Sequence, residues 1–409
     1  MKIIIGASKA AEDFIKNREK QSMIVCYDND RRKWGKKFAD EYTIINFKTL
    51  EKIIKKEKND VIIASENRTA LYFARDLCKN TENDLLILDK GETIPINIEQ
   101  IQEYTVDLKK IEERKMERYF EFRDYYKDNG NRKAYEHACN YIKIKQNNLA
   151  MPEIKGLELT NYCNLSCPNC PTPTCKRAKG YMGENVFNEC FQYIPPCLTE
   201  PFSLHGLGEP LLHPNFLEYL GRVVEIGVPV LISTNGLLLT DELMDNMLKT
   251  MNKVKGSVIY ISFHSFKSVQ NWAKCVQLIE KNNITVKLFG QVLDHNAKEA
   301  YCWLEKIGIK DPSKNNYIRF ITSHSFAGNV STRRTVYSDV EVNNRFRNCY
   351  YNLNNIVNIA WDGRIKRCCL DAEVSGNIGN IFEIENVKRK NEIYDLCHTC
   401  DPDWTSNFQ

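Results

Sequence analysis

An α/β architecture in successive segments is what this 409-residue sequence predicts. Three observations carry that expectation. Short apolar runs alternate with helix-length polar stretches through roughly the first hundred residues. The same alternation returns with a longer period after residue 156, and from about residue 331 it gives way to paired cysteines and Gly or Asn turn signals.

Apolar runs at 2–5, 23–27, 61–64 and 85–88, with helical stretches between, read as strands of a βαβ parallel sheet and define a first domain over 1–105. Over 106–150, charged and aromatic stretches run without turn residues until Asn129-Gly130-Asn131, which predicts two helices bridging two domains. Candidate strands then lie at 156–159, 201–204, 229–233, 258–263, 285–289 and 317–321, separated by helical spacing. Six βα units make a partial (β/α)6 TIM barrel over 151–330, whose ligands belong at the carboxyl ends of the strands. Residues 331–409 hold few long periodic segments and predict a small domain held together by metal.

Composition narrows the function classes. Lysine and arginine number 57 against 53 aspartates and glutamates, too small and dispersed an excess for a phosphate-tracking surface, so no nucleic-acid partner is expected. No apolar stretch approaches the roughly 20 residues that span a bilayer, and Lys2-Ile3-Ile4-Ile5-Gly6 is too short for a signal segment. The expectation is a cytoplasmic protein with no membrane partner. Sixteen cysteines kept reduced there read as metal ligands, catalytic thiols or small core residues before they read as disulfides.

Three of them cluster after the first strand of the barrel segment, in Asn161-Tyr162-Cys163-Asn164-Leu165-Ser166-Cys167-Pro168-Asn169-Cys170-Pro171. Thiolates at C-x3-C-x2-C spacing can hold three corners of a [4Fe–4S] cube and leave the fourth iron without a protein ligand. A zinc site or a group of buried thiols is the plainer alternative. Zinc wants a fourth ligand, and the spacing of Cys175 or His205 fits no common zinc pattern. The triad resembles the signature of the radical S-adenosylmethionine (SAM) superfamily, with Asn169 where many members carry an aromatic residue. After the next predicted strand, Gly208-Glu209-Pro210 resembles the end of that family's Gly-Gly-Glu-Pro motif, with Leu207 in place of the first glycine. After the third, Ser233-Thr234-Asn235-Gly236 is similar to the position that binds the ribose hydroxyls and cofactor carboxylate. His264 follows the fourth strand and is a candidate for the same cavity, and residues 286–290 match the position that touches adenine.

The resemblance implies that Gly208, Glu209, Pro210, Ser233, Asn235 and His264 contact SAM bound at the open iron. It also implies that one electron from the cluster splits SAM into methionine and a 5′-deoxyadenosyl radical, which takes hydrogen from a substrate C–H bond. A flavodoxin- or ferredoxin-like electron donor follows as a partner. Near the C-terminus, Cys349 is followed by thirteen residues, Gly363, four residues and Cys368, and later by Cys397-His398-Thr399-Cys400. Four thiolates suit an iron–sulfur cluster or zinc equally by spacing. The segment resembles the SPASM extension of radical SAM enzymes, and Gly376-Asn377-Ile378 resembles its Gly-Asn-Ile turn. With no cysteine after Cys400, it looks like the shortened twitch form, which implies an auxiliary [4Fe–4S] cluster on Cys349, Cys368, Cys397 and Cys400. Such a cluster can accept the electron left after hydrogen abstraction, which favours dehydrogenation. Asp371 is a candidate base for the substrate proton, or a carboxylate capping its loop.

The N-terminal domain resembles a Rossmann-like module. Gly6-Ala7-Ser8-Lys9-Ala10-Ala11 occupies its first strand-to-helix turn, and Asp28 stands where such folds hold a ribose, yet Ser8 and Ala11 replace two fingerprint glycines. The stretch from Tyr27-Asp28-Asn29-Asp30 to Lys33-Trp34-Gly35-Lys36 resembles modules attached to polysaccharide-tailoring enzymes. The sequence therefore predicts a radical SAM oxidoreductase acting on a small molecule, a carbohydrate or nucleotide sugar. A peptide-modifying enzyme forming a thioether, crosslink or epimer is the second reading, and a non-catalytic zinc scaffold the remote third.

Overall fold

Side-chain alternation along the first strand explains how the N-terminal sheet is covered. Ile3 and Ile5 of β1 (Lys2–Ile5) are buried on one face with Phe47, Leu50 and Phe73, whereas Ile4 is buried on the other with Ala11, Phe14 and Ile15. Helix α1 (Lys9–Lys16) therefore lies on one face, and α2 (Phe47–Lys56) and α3 (Arg68–Cys78) on the other. The remaining strands are β2 (Ile24–Tyr27), β3 (Lys37–Phe38), β4 (Tyr42–Ile45), β5 (Asp60–Ile63), β6 (Asp84–Asp89) and β7 (Glu92–Pro95). Their order is β3-β4-β2-β1-β5-β6-β7, parallel throughout except for the hairpin pairings β3–β4 and β6–β7.

A computed structural model describes residues 1–17, 23–28, 33, 35–39, 41–56, 58–64, 68–79, 81–89, 92–98, 101, 108–198, 200–321, 326–327, 329–330, 336–347, 349–387 and 392–400. Residues 29–32 and 34 of the stretch read at 27–36 lie outside them. By internal contacts the chain forms two units, one of 1–106, 335–353 and 392–409, the other of 107–334 and 354–391.

The second unit opens on α4 (Leu108–Asp128) and α5 (Arg132–Asn147), which meet at Gly130 (φ 69°) with Asn131 capping α5 by accepting the Ala134 N–H at 3.1 Å. By their contacts both helices are counted in this unit. Lys145 is fully buried 2.7 Å from Glu112, Lys115 pairs with Glu153, and Tyr119 donates to the same Glu153. Three of the segment's charges, Glu112, Lys115 and Lys145, are thus turned inward in pairs, whereas others such as Lys109, Glu113, Arg132 and Glu136 stay exposed.

Six parallel strands follow: β8 (Glu153–Leu157), β9 (Phe202–Ser203), β10 (Val230–Thr234), β11 (Val258–Ser262), β12 (Lys287–Leu293) and β13 (Ile318–Ile321). Between them run α6 (Glu184–Gln192), α7 (Phe216–Glu225), α8 (Asp241–Met251), α9 (Phe266–Lys281) and α10 (Ala297–Lys306), whose apolar faces close one continuous core over the sheet. The sheet continues past β8. Strand β14 (Ile356–Ile359) pairs with it in parallel, and β15 (Arg364–Lys366) and β16 (Asn377–Asn380) add antiparallel. Residues 354–391, expected within a separate C-terminal domain, are thereby part of this unit, because every residue of β14 is buried.

Candidate active site

Two anchors fix the loop after β8 that carries the three cysteines. Thr160 donates its hydroxyl to the Gly180 carbonyl at 2.7 Å, and the Asn161 side chain accepts the Gly180 N–H at 2.8 Å and donates to Ala178, so the start of the loop is tied to its end. The second anchor is the turn after β9. Gly208 has φ 84°, and a Cβ there would lie 2.5 Å from the Tyr162 carbonyl and 2.6 Å from that of Thr160. Only glycine lets the two backbones meet this closely, and the Glu209 N–H then donates to the Tyr162 carbonyl at 2.7 Å.

Glu209 itself is a buried connector. Its carboxylate accepts the Thr234 hydroxyl at 2.7 Å, the Asn235 N–H at 2.8 Å and the Leu211 N–H at 3.2 Å. Burial raises its carboxyl above the ordinary range, and these donors oppose the rise. Asn235 reaches on to the cysteine loop, its amide donating to the Asn164 side chain at 2.7 Å. Pro210 opens the short 3-10 turn behind Glu209.

These loops enclose a cavity of about 270 Å³ at the carboxyl ends of the strands. Cys163, Cys167 and Cys170 line it together with Gly208, Glu209, Ser233, Asn235 and His264, so all the residues singled out there except Pro210 face one space. Residues 286–290, expected to touch adenine, do not line the cavity. Strand β12 runs on to Leu293, and its end presents Gln291 and Leu293 to the cavity in place of 286–290.

Burial raises the Cys163 thiol and pushes Cys167 up to about 11, with Cys170 and Cys163 adding to the latter rise. Metal ligation would have to displace those protons, which makes loading pH-dependent. Among the described residues no three His, Cys, Asp or Glu side chains close as ligands of a single ion. The three thiols line one cavity, and three thiolates at this spacing suit three corners of a cubane. Cys167 Sγ lies 3.7 Å from His264 Nδ1, and burial holds His264 at about 4, a neutral imidazole near neutral pH. The His264 N–H donates to Ser268 Oγ at 3.1 Å within the capping box of α9, which fixes the backbone beneath the ring.

Sequence patterns gave no signal for the rest of the lining, which includes Ser262, Gln291, His295, Ile321 and Phe326. Glu158, a charge inside the apolar run Leu157-Glu158-Leu159, was a readable clue. It is buried against Arg177 at 2.6 Å and Lys366 at 3.4 Å, and it accepts the Leu207 N–H at 3.2 Å.

Residues 157–290 match the radical SAM superfamily. They form a radical SAM domain. Such a domain holds one [4Fe–4S] cluster and SAM. The chain is 33% identical over 118 residues to the tungsten-containing aldehyde ferredoxin oxidoreductase cofactor-modifying protein of Pyrococcus furiosus, covering 28% of this chain and 32% of that one. It is 27% identical over 171 residues to the antilisterial bacteriocin subtilosin biosynthesis protein AlbA of Bacillus subtilis, covering 39% and 38%. The matched segment thus spans about a third of the length of these relatives, 32% and 38%. Among solved structures, BtrN in complex with AdoMet and 2-DOIA aligns over 59% of this chain and 82% of that one, at 15% identity and TM-score 0.37.

The second cysteine set divides between the units: Cys349, Cys397 and Cys400 in the first, Cys368 in the second. Asp371 is bound within its own loop. Its buried carboxylate accepts the Ser375 N–H at 2.9 Å, the Ser375 hydroxyl at 3.1 Å and the Gly376 N–H at 2.7 Å, stapling a loop in which Val374 takes φ 57°. The first turn of the N-terminal domain is similarly committed. The Ala7 N–H donates to Asp28 at 2.9 Å, Lys33 pairs with that carboxylate at 2.9 Å, and the Ser8 hydroxyl donates to the Ala64 carbonyl at 2.5 Å. A protein carboxylate takes the N–H that a phosphate would need. No helix among the described residues is long and apolar enough to cross a membrane.

Proposed function

We propose that this chain is a radical SAM oxidoreductase that oxidises a polar small molecule. The observation that carries the reading is the convergence of Cys163, Cys167 and Cys170 with Gly208, Glu209, Ser233 and Asn235 on one cavity inside a matched radical SAM domain. When bound, the cluster and SAM supply a 5′-deoxyadenosyl radical able to take hydrogen from an unactivated C–H bond. The chain's own work is holding and excluding. Glu209 locks the Thr234-Asn235 turn, which leaves the Ser233 and Asn235 side chains at the cavity for hydroxyls and carboxylate. Leu165, Leu293, Ile321 and Phe326 keep part of the wall apolar, against loss of a reactive species to water.

The carbohydrate or nucleotide-linked substrate is supported by the polar groups beyond these positions, Ser262, Gln291 and His295, which suit a hydroxyl-rich ligand. The oxidative outcome is supported by the second cysteine set, for which we keep the ligands Cys349, Cys368, Cys397 and Cys400 and an auxiliary [4Fe–4S] cluster, on their spacing and on the Gly363 turn (φ 84°) between β14 and β15. The N-terminal domain is read as Rossmann-like on its parallel order β4-β2-β1-β5-β6, without a nucleotide. A peptide substrate is the second reading, favoured by the similarity to the subtilosin biosynthesis protein.

Incubation of the reduced, reconstituted chain with SAM and a panel of sugars, nucleotide sugars and peptides tests this. The account expects 5′-deoxyadenosine with a sugar-class product two hydrogens lighter. A redox-neutral product rejects the oxidation, and turnover of peptides alone rejects the substrate class.

A further inference from the structure

Three of the four thiols of the second set share a unit with the N-terminal sheet, and the contacts that hold them lead back to α3. Helix Asp339–Arg347 packs on α3, with Val340 against the core built from Ile3, Ile5, Val61 and Phe73. At its C-terminal end Arg347 pairs with Asp76 of α3, the two side chains 12% and 11% exposed, and its guanidinium lies 5.8 Å from the Tyr72 ring. Cys349 comes two residues later. Its N–H donates to the Phe346 carbonyl at 3.2 Å and its own carbonyl accepts the Leu353 N–H at 2.8 Å, so the thiol is set at the end of this helix.

The same helix reaches the other cysteine pair. Arg345 donates to the Cys400 carbonyl at 2.6 Å, its guanidinium lies 4.3 Å from the Tyr337 ring, and the Tyr337 N–H donates to the His398 carbonyl at 2.9 Å. Nine residues are too few to hold a helix alone in water, so this one owes its place to α3. A buried arginine–carboxylate pair stacked on a ring is a geometrically specific fastening.

We propose that the N-terminal sheet domain serves as the mount of the second metal centre: through Asp76 and Arg347, α3 fixes the helix that carries Cys349 and holds Cys400. This rests on the second-cluster reading above. It gives a domain whose nucleotide turn is filled by Asp28 a role in the chemistry, that of setting thiolates before metal arrives.

Asp76→Asn and Arg347→Met are made in the full chain, purified anaerobically and reconstituted with iron and sulfide. The unsubstituted chain is expected to hold about eight irons. Both variants are expected to fall to about four, with the first cluster's spectrum and 5′-deoxyadenosine release from SAM retained. Arg345→Met, which leaves the Asp76–Arg347 pair in place and removes the bond to the Cys400 carbonyl with the contacts to Tyr337 and Glu341, is the milder variant and is expected to lose second-cluster iron before first-cluster iron. About eight irons in all three variants, or equal loss from both centres in all three, overturns the mount. About four irons in the unsubstituted chain overturns the second-cluster reading itself and the mount with it.

Discussion

At Glu209 a single carboxylate links two loops, and its removal strands three donors at once. Each buried donor left unpaired costs roughly 1–3 kcal/mol, partly relieved by entering water. Glu209→Ala is therefore expected to lower the unfolding free energy by about 3 kcal/mol and to weaken SAM binding at least tenfold, read by urea melts and equilibrium dialysis. Undiminished SAM affinity would mean that the Asn235 turn holds its place without Glu209. Beside it, a neutral His264 donating to the Cys167 thiolate would raise the cluster's reduction potential, since hydrogen bonds to sulfur favour the reduced state. His264→Phe is expected to lower the midpoint potential with iron content unchanged, and an unshifted potential contradicts the hydrogen bond. The cysteines were legible because their spacing is local. Gln291 and His295 were not, since nothing near them in sequence marks the end of β12 as a wall. Asp371 was read from its nearness to Cys368 as a base or as a cap of its loop, and its carboxylate accepts hydrogen bonds within that loop.

Elements show where pattern reading succeeds and where it fails. The strands β8 to β13 each fall on or beside an expected apolar run, because at least one face of each strand is buried in the core. Strand β14 is as apolar, yet its partner β8 lies some two hundred residues earlier, and no local pattern reveals a pairing that distant. Composition did not show that Glu112 and Lys115 of α4 and Lys145 of α5 are turned inward in pairs with one another and with Glu153 of β8. Truncating Lys145 to Ala would leave Glu112 buried without its closest ammonium, and a destabilisation of about 3–5 kcal/mol is expected in denaturant unfolding. A loss under about 1 kcal/mol would show the pair to be solvated. At the Gly208 turn an added methyl meets backbone atoms that cannot move aside. Gly208→Ala is expected to release the cysteine loop and cut first-cluster iron by more than half, measured after reconstitution.

Across the whole molecule, acid should weaken the fold through histidines buried neutral. Burial, with Lys155 and Lys366 nearby, holds His205 at about 4, against an ordinary value near 6.5. Below pH 6.5 the unfolded chain takes up a proton that the folded chain refuses, so stability present at pH 7 is lost as pH falls toward 4. That amounts to about 2 kcal/mol between pH 7 and 5 from this residue, and His205→Gln should flatten the pH dependence of urea unfolding by a similar amount. The central claim is that the Cys163, Cys167 and Cys170 cavity performs SAM cleavage. It is tested most directly by the 5′-deoxyadenosine released when the anaerobically reconstituted, chemically reduced chain meets SAM. Release is expected from the unsubstituted chain and none above background from Cys167→Ala. Undiminished release from Cys167→Ala, or none from an unsubstituted chain that holds its iron, would contradict it.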